Sequence, residues 1–157
     1  MKYIFLTDEF YNAHPKKLYP EMIQKHDRPY VQVLLSVKNQ LWAIPLRSHI
    51  NHNYAIWSDK ENRCGIDLTK AVPITEDDIL SKAQIRENEF QALKGKDYIV
   101  VKKFQSFIQK YNHAKQNPNL ISSKSILRFS SLQYFEKYLE NTYRQPKVKE
   151  KSKGMSR

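Results

Sequence analysis

The sequence predicts an α+β fold: a compact, strongly twisted antiparallel sheet or barrel, flanked by helices drawn mostly from the C-terminal half. Three observations carry that prediction. Val31, Val33, Leu35 and Val37 alternate with other residues, the period of a strand with one buried face. Short apolar runs separated by polar turns recur as far as residue 74, as in small bent sheets. Val100, Phe104, Phe107, Ile108 and Tyr111 then fall on one helical stripe.

Taken in order, residues 2–6 form a short apolar strand. Residues 19–25 read as one or two helical turns, with Pro20 at the tolerated first position. The alternating run 30–37 and the run 41–46 make a hairpin across the polar turn Lys38-Asn39-Gln40. Further strands are expected over 54–57, 64–68 and 71–74, with Asp59-Lys60-Glu61-Asn62 turning the chain between the first two. Thr75-Glu76-Asp77-Asp78 has the form of a capping box and is expected to end the β region. Residues 79–94 show no period that fixes their type. Residues 98–111 are the clearest helix, and Pro118 closes whatever helix remains. Ser130, with Gln133 three residues on, opens a last helix in which Leu132, Phe135 and Leu139 face inward. One domain over 1–143 is expected, followed by a basic, disordered tail over 144–157 that lacks apolar anchors.

Composition narrows the function classes. Of 157 residues only one, Cys64, is a cysteine, so an internal disulfide and a cysteine-rich zinc cluster are both excluded. The N-terminus turns acidic after one short apolar run, and no stretch approaches the length of a membrane span. These features predict a soluble, cytoplasmic domain. Three glycines leave no phosphate-binding loop of the Rossmann or P-loop kind. The net charge is +11, and a basic excess remains on the body once the tail is set aside. A field of that sign attracts polyanions, nucleic acid above all. The acidic run at 76–78 suits a helix start better than a metal, and the β half offers few clustered carboxylates. No metal and no cofactor is therefore expected.

The densest chemistry lies in Arg47-Ser48-His49-Ile50-Asn51-His52-Asn53-Tyr54, where the strand ending at Leu46 leaves the sheet. If the hairpin is right, Arg28 falls at the same open end as Arg47 and Ser48. This set fits RNA cleavage without a metal. An imidazole, His49 or His52, takes the 2′-hydroxyl proton, while guanidinium and hydroxyl donors stabilise the charged phosphorane. Taken singly, each of these residues also fits an ordinary polar loop, with Ser48 capping a turn. Among the aromatics, Tyr11, Tyr19, Tyr30, Tyr54 and Trp57 are candidates to stack on unpaired bases, one or two of them on the RNA face, and Lys25 and Tyr19 are candidate RNA contacts.

At these residues the sequence resembles the toxins of type III toxin–antitoxin systems, the ToxN/AbiQ group. The resemblance runs through Arg28-Pro29-Tyr30-Val31-Gln32-Val33-Leu34-Leu35 and Trp42-Ala43-Ile44-Pro45-Leu46-Arg47-Ser48. It resumes at Cys64-Gly65-Ile66-Asp67-Leu68-Thr69-Lys70-Ala71-Val72-Pro73-Ile74. A looser likeness covers the helical half, including Ser123-Lys124-Ser125, to about residue 139. The pattern Arg47-Ser48-x-Ile50-x-His52-x-Tyr54 is most similar to the CptN/TenpN branch.

The resemblance implies a β-core similar to MazF/Kid-type toxins and a metal-independent, sequence-selective endoribonuclease active in phage defence. Its products would carry 2′,3′-cyclic phosphate and 5′-hydroxyl ends. The implied partners are cellular RNA as substrate and a repeat-derived RNA pseudoknot as antitoxin, in a closed toxin–RNA assembly. Ser48 matches the family's serine after Pro-Leu-x, and Arg28 falls where relatives carry a basic residue. Relatives place a lysine two residues past that serine, where this chain has Ile50. The expected catalytic set is thus Ser48, His52, Arg28 and His49, with Arg47, Lys25, Tyr19 and Tyr54 contacting RNA. The alternative is a basic RNA-binding domain without catalysis. A metal-dependent DNA nuclease is disfavoured by the scarcity of carboxylates.

Overall fold

The structure, a computed structural model, describes residues 1–24 and 30–139. Lys25, Arg28 and the tail 144–157 lie outside the described residues.

Seven strands form one antiparallel sheet: β1 (Lys2–Leu6), β2 (Gln32–Val37), β3 (Gln40–Arg47), β4 (Ala55–Asp59), β5 (Cys64–Asp67), β6 (Val72–Ile74) and β7 (Ile79–Lys82). Their order is β4-β5-β3-β2-β1-β7, with β6 also paired to β3. The sheet is open, so the barrel alternative is corrected: the outer strands β4 and β7 do not pair with each other. Among the described residues four helices accompany it: α1 (Asp8–Ala13), α2 (Glu87–Leu93), α3 (Asp97–Gln116) and α4 (Ile121–Phe129). The stripe expected on α3 is buried to the last residue, with Trp42 of β3 set edge-on to Phe104 at 5.0 Å. Val33, Leu35, Val37, Ile44 and Ile66 complete that core. The opposite sheet face carries a second core around Ile4, Leu6, Ala43 and Ile74, covered by Phe10 and Phe135.

The 30–46 hairpin forms as expected. Lys38 and Asn39 both take left-handed φ values, 50° and 67°, so the turn is of the primed kind that matches strand twist. Several expectations need correction. Of the stretch 19–25, the described residues 19–24 form no helix; Tyr19 O accepts a single turn bond from Met22 N–H, 3.1 Å. The capping box at 75–78 is present but does not end the sheet, because β7 follows it and pairs with β1. Ser130 does cap the next segment, yet that segment is two short 3-10 turns rather than an α-helix. Leu132, Phe135 and Leu139 are nonetheless buried there.

One strand forks the sheet. β3 pairs along its length with β2, while its other edge is shared by β6 at Leu41–Ala43 and by β5 at Leu46 and Arg47. Pro45 lies between the two partners. The Leu46 N–H donates to Val31 O on the β2 side, 2.9 Å, so by alternation the Pro45 nitrogen faces the other edge. It faces the gap where β6 has ended and β5 has not begun, so no ladder bond is lost to its missing N–H. The chain crosses that gap in a 3-10 turn, Leu68–Lys70.

Gly65 allows β4 and β5 to approach closely. A Cβ there would meet the Ile56 carbonyl oxygen and lie 2.9 Å from Trp57 Cα, both backbone atoms. Gly65→Ala is expected to cost about 2 kcal/mol in urea denaturation, as overpacking does. A cost under about 0.5 kcal/mol would show that β4 yields freely.

Candidate active site

The gap in the sheet is where polar groups converge. Asp67 ends β5 with its side chain fully buried, and an ionised group there needs partners. It has four bonds. Arg47 Nη1 donates to Oδ2 at 2.7 Å, and the Thr69 hydroxyl and backbone N–H donate to Oδ1 at 2.6 and 3.0 Å. His52 Nε2 lies 3.1 Å from the same Oδ1. Burial raises the Asp67 pKa, but the hydrogen bonds from His52, Thr69 and Arg47 outweigh it and hold the carboxyl below its ordinary range.

His52 is fixed at both nitrogens. Its Nδ1 accepts the Tyr54 backbone N–H at 3.0 Å, which assigns the ring proton to Nε2, facing Asp67. Arg63 holds the loop that presents this ring. Its guanidinium donates to the carbonyls of Ile50 and His52, at 2.6 and 2.5 Å, while stacking over Trp57. Ile50, in the same loop, is buried and anchors it to the core.

Ser48 and His49 sit on the exposed turn directly after β3. His49 takes φ 56°, and its Nδ1 lies 3.2 Å from Ser48 Oγ. Tyr19, half-buried, belongs to an aromatic cluster, 4.9 Å from His14, 5.2 Å from Tyr134 and stacked on Phe135.

Three cavities adjoin across this region. The central one, about 390 Å³, is lined by Arg47, His52, Tyr54, Thr69, Lys70 and, from α4, Phe129. A second of about 260 Å³ shares the Arg47 and Lys70 wall and extends to Lys16 and Tyr30. A third of about 380 Å³ shares Tyr54 and Ile126 and runs between α3 and α4 past Lys110. Together they make a trough with Lys16, Arg47, Lys70 and Lys110 along its length and Glu21, paired with Lys70, as the one carboxylate in the lining. Lys70 ties its banks, donating to Glu21 Oε1 at 3.0 Å and to Phe129 O at 2.9 Å.

The structure therefore brings Arg47, His52 and Tyr54 into one cavity and leaves Ser48 and His49 on the neighbouring turn. Sequence reasoning missed Asp67, Thr69, Lys70 and the α4 wall. One signal for Asp67 was present: an ionisable residue between Ile66 and Leu68, inside an apolar strand, has to be paired. Among the described residues no group of histidines, cysteines and carboxylates is arranged to hold a metal, and no helix is long and apolar enough to cross a membrane. No family model, curated protein or solved structure matches this chain.

Proposed function

We propose that the chain is a metal-independent endoribonuclease acting in the cytoplasm, the toxin of a type III toxin–antitoxin pair. The MazF/Kid-type character of its β-core is part of that proposal. The observation that carries it is the Arg47–Asp67–His52–Thr69 assembly on the floor of a cation-lined trough. The trough suits an RNA strand, the substrate or the inhibitory RNA pseudoknot, because its cations are spread along a path rather than gathered at one point.

In this reading Arg47 spends one donor on Asp67 and turns its others to the scissile phosphate, with Ser48 and Arg28 assisting. A base withdraws the 2′-hydroxyl proton, O2′ attacks phosphorus, and the 5′-oxygen leaves with a proton from an acid. The geometry favours His49 over His52 for proton transfer. His49 is exposed beside Ser48, whereas both His52 nitrogens are committed. His52 is then a positioning residue that fixes Asp67 and, through it, Arg47.

The test is incubation with labelled single-stranded RNA in excess chelator, followed by end-group analysis. Fragments ending in cyclic phosphate are expected, slowed about 100-fold by His49→Ala, the usual order for a lost proton-transfer group. Ser48→Ala should slow them about tenfold, as loss of one neutral donor does. Equal rates in wild type and both variants would sink these assignments. The committed state of His52 also favours a second reading, an RNA-binding domain without catalysis. Tight, salt-dependent binding with no cleavage would establish it.

A further inference from the structure

We propose that the cavity between α3 and α4 is a nucleobase-binding subsite, with Gln109 as its specificity-determining residue. This inference rests on the trough being an RNA site. Three features characterise the cavity. Its floor is apolar, formed by buried Ala114 and Ile126. One wall is the ring of Tyr54, backed by Phe107 at 5.3 Å so that it stands fixed. The remaining lining is the Gln109 carboxamide, the hydroxyls of Ser106, Ser122 and Ser123, the Lys110 ammonium and the His113 imidazole, with no carboxylate.

A flat aromatic wall, an apolar floor and a carboxamide beside hydroxyls suit a heterocycle, and Lys110 is the single lysine or arginine here. Phosphate is better served at the Arg47 and Lys70 end. At about 380 Å³ the cavity falls at the small end of the range that holds compact ligands. Its position fits the assignment, since Tyr54 and Ile126 also line the central cavity. A strand with one phosphate over Arg47 passes an adjoining base around Tyr54 into this space. A carboxamide carries a donor and an acceptor side by side, so it can pair with one base edge and mismatch others.

The experiment measures affinity for short 2′-O-methyl oligoribonucleotides, which cannot react at the 2′ oxygen, varied at one position at a time. At one position wild type is expected to discriminate among the four bases by about tenfold, the scale of one good two-point base contact. Gln109→Leu should reduce that to under about threefold, with Ser122→Ala as a second, smaller substitution at the same rim. Discrimination retained in both variants, or absent from wild type, overturns the subsite.

Cleavage of the matching unmodified RNA, run alongside, separates the two proposals. Cleavage whose selectivity survives Gln109→Leu removes the subsite and keeps the ribonuclease. Gln109-dependent discrimination without cleavage keeps the subsite and removes the reaction.

Discussion

Asp67→Ala is expected to lower stability by about 3 kcal/mol at neutral pH, the scale of breaking a buried ion pair from one side. The carboxylate is fully buried, and its removal strands Arg47, the Thr69 hydroxyl and N–H, and His52 at once. Partial exposure of Arg47 and His52, at 27% and 23%, lets water recover some of the loss and keeps the figure at the lower end. Asp67→Asn adds a pH signature. The folded carboxyl titrates below its unfolded value, so its contribution is complete above about pH 4 and is lost as pH falls through the lower folded value. Urea denaturation should therefore show a gap between wild type and Asp67→Asn at pH 7 that narrows by about pH 3. A gap equally wide at both values would mean that Asp67 does not stabilise the fold through its charge.

On the proposed ribonuclease reading, Arg47→Ala should slow RNA cleavage about 1,000-fold, the upper range for removing a donor aimed at developing charge. Arg47→Lys is more informative. A lysine keeps the charge but loses the fork, and one ammonium cannot hold Asp67 in the geometry of Nη1 while presenting a second planar donor set to phosphate. Its rate should fall about 30-fold under single-turnover conditions, with RNA affinity changed less than threefold. Full activity in Arg47→Lys would place the phosphate elsewhere in the trough. A large loss of affinity with an unchanged rate constant would make Arg47 a binding residue alone.

The sequence made visible what repeats locally. Alternation at 31–37 and the α3 stripe each bury a continuous face, so both could be read from side-chain order. β7 could not, because Ile79 is half-buried and its three successors are exposed. An edge strand of that kind is held by ladder bonds to β1, which no periodicity announces. α1 spans six residues and buries the adjacent pair Phe10 and Tyr11; its readable signals were Thr7 as cap and Asp8 and Glu9 in the first turn. The candidate site divides in the same way. Arg47, His52 and Tyr54 were legible because eight residues of chain hold them together. Thr69 and Lys70 arrive with the crossing at Pro45, which follows from how β3 divides its edge between two partners.

The Lys70 tie also bears on how the protein is made. The trough closes only when Lys70 reaches Glu21, 49 residues earlier, and Phe129, 59 residues later. The Glu21 N–H is in turn bonded to Tyr134, 113 residues away. Contacts over such separations carry a large closure cost and form after local pairings. A chain still emerging from the ribosome can fold its hairpin and expose Arg47 and His52, yet it has neither the α4 bank nor the tie that sets the width of the trough. Synthesis therefore delays the complete trough until the α4 segment and the turns after it have left the exit tunnel.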